Sequence, residues 1–220
     1  YMAANNNVEY GEGNLAEQLA MVARLIKGGL GSKVYMVTLG GFDTHADQII
    51  RQQELLSDLS STIKNFYDDL TSIGIQDKVL SMTISEFGRR PYENGSNGTD
   101  HGAASPVLLF GDGLQGSGFV GNHPNLTEWD VNDNLIPTSD FRDVYSTVLT
   151  DWFCLDPSVV NTILLNQNYQ NLDLGFNCEV LSTVNFNNTT RLQHTATYKN
   201  NTTYVELNMP TAAQVDIRLY

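Results

Sequence analysis

The chain has 220 residues, enough for one packed domain and a smaller appendage, and its 41% hydrophobic content is ordinary for a globular protein. Twelve basic residues against twenty-five acidic ones give a formal charge of -13, which excludes a broad phosphate-binding surface for nucleic acid and argues against anionic membranes. No stretch approaches a transmembrane helix and no signal peptide is visible; opening at Tyr1 in a polar segment, the chain reads as a fragment or a processed form.

From about Asn14 to Gly28, Leu15, Leu19, Val22, Ala23 and Ile26 recur at helical spacing, with Asn14 suited to the N-cap and Gly28-Gly29 to the stop. The apolar run Val34 to Leu39 predicts a buried strand that feeds the loop Gly40-Gly41-Phe42-Asp43-Thr44-His45. A long helix is expected from about Asp47 to Ser72, with Leu55, Leu56, Leu59, Ile63, Phe66 and Leu70 on its apolar face. Gly74 breaks it, and Lys78 to Ile84 reads as a second buried strand ending in Ser85-Glu86-Phe87-Gly88-Arg89-Arg90.

Strand, helix, strand in this order predicts a parallel pair with a right-handed crossover, both acidic loops emerging at one sheet edge. A polar loop then leads to Gly98-Thr99-Asp100-His101-Gly102, and Pro106 to Phe110 is a third short strand. After an irregular, glycine-rich excursion from Leu114 to Ser139, a helix is expected from about Phe141 to Phe153, capped by Ser139 or Asp140. Its buried face is Val144, Tyr145, Val148, Leu149 and Trp152, and a short helix follows from Pro157 to about Leu165. From Asn177 the pattern changes to Asn/Thr-rich turns and alternating runs, Thr203 to Leu207 and Ala213 to Tyr220. The fold class is therefore α/β, a mostly parallel sheet flanked by helices over residues 1–176, with a partial β module over 177–220.

Asp43, His45, Glu86, Asp100 and His101 stand at the ends of successive elements, with Glu93 further out. An Asp and a His two residues apart in extended chain point to the same side, and mixed Asp/Glu/His sets suit zinc, manganese or a related divalent ion. The same residues also suit plainer roles: Asp43 as a loop-fixing acid, the histidines as hydrogen-bonded structural groups, Glu86 in a salt bridge with Arg89 or Arg90, and Asp100 in a turn. No Ser-His-Asp order and no phosphate loop with lysine is present. Cys154 and Cys178 read equally as one disulfide or as two unrelated thiols. Trp129 and Tyr92, both in loops, would suit a carbohydrate-binding surface. Asn-x-Thr runs such as Asn125 to Thr127 and Asn201 to Thr203 matter only in a host that glycosylates them.

Four motifs, GGFDTH, SEFGRR, NGTDHG and TSDFRDVYSTVLTDWF, resemble in order the secreted bacterial family catalogued as domain of unknown function 1501, over about Asn14 to Leu165. That family is similar to the alkaline phosphatase superfamily, whose members hold two divalent metals and use a Ser, Thr or modified Cys nucleophile. The resemblance implies an alkaline-phosphatase-like C-terminal half (residues 1–176) and a metal-dependent hydrolase of phosphate or sulfate esters. It implies Asp43, His45, Glu86 and His101 as ligands of a divalent ion (zinc, manganese or calcium), Glu86 and Arg89 as catalytic groups, and an anionic ester as substrate. Arg89 or Arg90 would hold the anionic group, and the nucleophile would lie upstream of Tyr1.

Two departures are visible. Phe87 stands where the superfamily pairs a histidine with the acid, and Asp43-Thr44-His45 is shorter than the usual Asp-x-x-x-His. A competing alignment sets Asp100-His101-Gly102 on the superfamily's Asp-His-Gly. These departures keep open a non-enzymatic surface or secretion-associated protein with a degenerate site. The tail NNTTYVELNMPTAAQVDIRLY resembles the start of the C-terminal sorting domain of type IX secretion substrates in Bacteroidetes. It implies export across the outer membrane, a secreted or cell-surface location and contact with the secretion machinery.

Overall fold

The computed structural model describes residues 4–114 and 118–176, Cys178, and the backbone of strands at 193–199, 202–208 and 214–219. It contains α1 (Asn14–Lys27), α2 (Gln48–Thr71), a 3-10 turn (Gln76–Lys78), β1 (Ser81–Met82), β2 (Gly88–Arg89), β3 (His101–Gly102), β4 (Leu109–Phe110), α3 (Phe141–Thr147), a π-helical turn (Val148–Trp152), α4 (Pro157–Ile163), β5 (Gln193–Lys199), β6 (Thr202–Asn208) and β7 (Gln214–Leu219). The chain is thus a mixture of helices and small antiparallel sheets. No described helix is long and apolar enough to cross a membrane.

The helical period of α1 buries Leu15, Ala16, Leu19, Val22 and Ala23 against Phe66 and Leu70 of α2, with Tyr10 closing the cluster. Each large apolar side chain removed from water here contributes about 1.5–3 kcal/mol. Asn14 is the first helical residue, not the cap: Gly13 precedes the helix, and the Asn14 side chain accepts from Gln18 Nε2 at 3.1 Å. The helix stops where Gly29 takes a left-handed φ of 76° and Leu30 N donates to Leu25 O at 3.0 Å.

One polar residue lies inside this apolar contact. Asp69 of α2 is 0% exposed and receives Lys27 Nζ at 2.7 Å, Asn6 Nδ2 at 2.8 Å, Asn7 N at 2.8 Å and Tyr10 Oη at 3.2 Å. Burial by itself would raise this carboxyl, but the bonds from Lys27, Asn6 and Asn7 outweigh it and hold Asp69 below the usual carboxylate range. The periodic pattern gave no sign of this: Asp69 shares the buried face with Phe66 and Leu70 because its charge is neutralised there by Lys27.

The segment from Val34 to Leu39, expected as a buried strand, is only partly buried and belongs to no ladder among the described residues. Tyr35, Val37 and Leu39 pack on the first core while Val34 and Met36 stay exposed. The amide of Gln18 takes both polar groups of Thr38, accepting from its N and donating to its O at 2.9 Å each, where a neighbouring strand would otherwise bond. The expected parallel pair is therefore not formed. The ladders flanking the acidic loops are antiparallel instead: β1 with β4 (Ser81 opposite Phe110) and β2 with β3 (Gly88 opposite Gly102, Arg89 opposite His101). Tyr67 of α2 joins the first of these to the helix, its hydroxyl 2.6 Å from Phe110 O and 3.1 Å from Ser81 Oγ.

Asp140 caps α3 as one of the two residues expected, in a reciprocal capping box with Asp143. The single helix expected through Phe153 becomes a π turn after Thr147. There Thr147 and Thr150 turn their hydroxyls back on Asp143 O and Ser146 O, at 2.7 and 2.8 Å. A second core gathers Val160, Ile163 and Leu164 of and after α4 with Tyr145, Leu149 and Tyr169. In the tail, β5, β6 and β7 form an antiparallel meander in that order, with Ala196 opposite Val205 and Val205 opposite Ile217. The first of its strands was not anticipated.

Removing the positive partner of Asp69 leaves a buried charge alone. Lys27→Met is expected to cost about 3–5 kcal/mol in urea unfolding. Because the folded carboxyl lies below its unfolded value, its stabilisation is complete above about pH 4 and disappears as pH falls through the lowered folded value. Asp69→Asn should therefore destabilise the protein at neutral pH and flatten the acid limb of a stability-versus-pH curve.

Candidate metal centre

The GGFDTH loop is held between α2 and the turn at 94–98. Asp47 N and Gln48 N, at the start of α2, donate to Ser96 O and Asn97 O at 3.2 and 2.9 Å, and Thr99 N donates to the O of buried Thr44 at 3.2 Å. Close approach is possible because position 98 has no side chain: a Cβ there would lie 2.3 Å from His45 C and 2.4 Å from His45 O. The second contribution comes from the β2–β3 ladder. Directly opposite residues of an antiparallel pair project to the same side, so Arg89 and His101 emerge together over Asp43.

One oxygen collects the result. Asp43 Oδ1 lies 2.8 Å from His45 Nε2, 2.8 Å from His101 Nε2 and 3.0 Å from Arg89 Nη1. The hydrogen bond from His101 is the largest influence holding the Asp43 carboxyl below its ordinary range, followed on the same side by Arg89 and the charges of the two imidazoles. Arg89 is itself steadied by Thr99, through Nε to Oγ1 at 2.9 Å and Nη2 to the carbonyl. Phe87 stacks on the His101 ring, centroids 3.8 Å apart and planes 12° from parallel. It is a positioning surface for His101, a role its identity as a non-ligand did not suggest.

Behind His45 stands Asp100, with Oδ1 3.2 Å from Nδ1; Asn94 Nδ2 donates to that oxygen at 3.2 Å and to His45 O at 3.0 Å. Asn94 first, then His45, keeps the Asp100 carboxyl low and hence an acceptor. His45 thus turns Nδ1 to Asp100 and Nε2 to Asp43, and a neutral ring has one N–H to share between those two carboxylates. A carboxylate behind a histidine that points its other nitrogen at a shared centre is the usual support of a metal-binding imidazole.

The ligand atoms of Asp43, His45 and His101 lie within 4.8 Å of one another. Two imidazoles and a carboxylate fit zinc or a related ion with metal–ligand bonds of about 2.0–2.2 Å, after the present 2.8 Å contacts open slightly. Arg89 on the same oxygen works against a cation there, while all three ligands are open to solvent.

The other expected residues fall differently. Glu86 is exposed in the turn closed by Ser85 Oγ to Phe87 O (2.8 Å) and lies outside the trio; Glu93 is exposed as well. Arg90 reaches Tyr92 Oη at 2.5 Å, and Trp129 sits 5.2 Å from the Tyr92 ring at 43°, a tilted pair and not a coplanar platform. Asn94, Thr99 and Phe87 were not singled out as supports; Asn94 and Thr99 lie in or beside the NGTDHG motif and Phe87 in SEFGRR, which is the signal that would have found them.

The chain belongs to the family described as a protein of unknown function, DUF1501, whose profile matches residues 1–157. Comparison with curated proteins and with solved structures returned no match.

Gly98→Ala should force His45 away from Asp43 and Asp100, because backbone atoms leave no room for the added carbon. Loss of roughly 1–3 kcal/mol of stability and a changed imidazole resonance for His45 by NMR are expected.

Proposed function

We propose that the protein is an exported, metal-assisted hydrolase of phosphate or sulfate esters, built on the plan of the alkaline phosphatase superfamily. The observation that carries this reading is the meeting of His45 Nε2 and His101 Nε2 on one oxygen of Asp43, at 2.8 Å each, with Asp100 behind His45. Asp43, His45 and His101 would hold the ion. A bound divalent ion would polarise the ester oxygen and stabilise the charge that develops on it.

The chain's own groups prepare that site. Asp100 and Asn94 keep Nε2 of His45 facing inward, Phe87 keeps the His101 ring in plane, and Arg89 places a guanidinium 3.0 Å from Asp43, where an anionic substrate group would meet it. Glu86, exposed on the strand-end turn before β2, would act from the rim. Strands β6 and β7 of the tail meander fall in the segment that resembles a type IX sorting domain, which supports export to the cell surface through that machinery.

A second reading has its own support: the Arg89–Asp43 ion pair and the Phe87 stack satisfy the trio from within the protein, as a degenerate, non-enzymatic site would. Metal analysis and calorimetric titration with zinc and manganese separate the two. Binding of one ion per chain is expected, weakened roughly 10–100-fold by Asp100→Ala and abolished by His101→Ala without loss of helical circular dichroism. A screen of aryl phosphates and sulfates should show turnover that follows metal content. A protein that takes up no ion, and whose Asp43→Ala and His101→Ala variants match the wild type in both assays, would sink the hydrolase and leave the degenerate site.

A further inference from the structure

Residues 169–176 run back across α3 and the π turn as a strap, bonded to them at three successive residues. Gln170 N donates to Asp143 Oδ1 at 2.9 Å, Leu172 N to Thr147 Oγ1 at 2.8 Å, and Asn171 Nδ2 to Thr150 Oγ1 at 2.5 Å, while Ser146 Oγ donates to Asn171 Oδ1 at 2.8 Å. Phe176 then meets Trp152 edge-on, ring centroids 5.3 Å apart. Just beyond the strap Cys178 Sγ lies 3.2 Å from Thr150 O and 3.5 Å from Asp151 O, against the segment that leads into Cys154. Cys154, three positions beyond Asp151, holds a left-handed φ of 54° and is exposed to solvent, and the neighbouring Cys178 thiol acts on it electrostatically.

We propose that Cys154 and Cys178 are joined by a disulfide that staples the start of the C-terminal β module to the end of the family domain. Two independent contacts, Trp152 with Phe176 and Cys178 with the Thr150 and Asp151 carbonyls, bring Cys178 onto the turn that leads into Cys154. The pair lies at the junction expected between residues 1–176 and 177–220, where a covalent link keeps a tail from peeling off its domain. Local desolvation first, then the neighbouring sulfur, pushes the Cys154 thiol up to about 12, although the residue is exposed and open to an oxidant.

The bond forms by exchange with a small-molecule or protein disulfide. One cysteine thiolate displaces a thiol from the oxidant, giving a mixed disulfide; the second cysteine attacks that cysteine's sulfur and expels the oxidant's other thiol. Two S–H bonds of the chain are lost, one S–S bond is gained, and the two electrons and two protons leave on the oxidant's thiols.

The test uses the whole chain, equilibrated with oxidised glutathione, unfolded in the presence of iodoacetamide and weighed intact, with and without prior reduction. No alkylation before reduction and two alkylations after it are expected, with one cross-linked peptide pair in an unreduced digest. Reduction should lower the thermal midpoint by roughly 5–10 °C in the wild type and leave the Cys154→Ser/Cys178→Ser double variant unchanged. Two free thiols in the wild type, or separate glutathione adducts on each cysteine, would overturn the proposal, and neither result depends on any variant folding.

Discussion

Asp69 is the residue on which the first half of the molecule turns. A carboxylate with no solvent exposure tolerates that position only because donors from the N-terminal segment, from α1 and from Tyr10 converge on it. Each donor lies far from Asp69 in sequence, so the bonds tie separate parts of the chain to one point. They set the register of α1 against α2, and α2 in turn carries the loop that holds Asp43 and His45. An apolar residue at 69 would bury more cheaply, but it would not draw the N-terminal segment onto the helix pair or select one orientation of α1.

The candidate centre rests on a different kind of constraint, the absence of side chains. Gly98 lets the 94–98 turn lie on the His45 backbone, and Gly88 and Gly102 sit where any Cβ would collide with the Ala104 and Arg89 backbones. Three motifs can then interleave within a few ångströms. GGFDTH supplies Asp43 and His45, SEFGRR supplies Arg89 and Phe87, and NGTDHG supplies Asp100 and His101, with Asn94 just before it. The geometry is built from backbone contacts, although its ligands face solvent.

Much of this was legible in residue patterns. The two long helices follow from the spacing of Leu15, Leu19 and Val22 and of Leu55, Phe66 and Leu70, since a helix with one apolar stripe has to bury it. The motifs also placed Asp43, His45 and His101 in loops at the ends of elements. The ladders were misjudged for a physical reason. An apolar run such as Val34 to Leu39 predicts a strand, but the choice of neighbour depends on what else is within reach, and here the Gln18 amide takes the Thr38 positions. The break in the helix after Thr147 escaped for a similar reason, because threonines that bond back onto the preceding turn carry no apolar period.

Composition and spacing alone determined the acidic surface, the two principal helices, the helix–loop order and which polar residues cluster at loop ends, because these depend on neighbours within a few positions. Tertiary structure decided the rest. It paired β2 with β3 so that Arg89 stands beside His101, gave Asp43 one oxygen shared by two imidazoles, and turned Asp100 from a turn residue into the support of His45. It also brought Cys178 back over the π turn to the carbonyls of Thr150 and Asp151, beside the segment that leads into Cys154. Contacts between residues distant in sequence depend on how whole elements pack, and no local pattern encodes that packing.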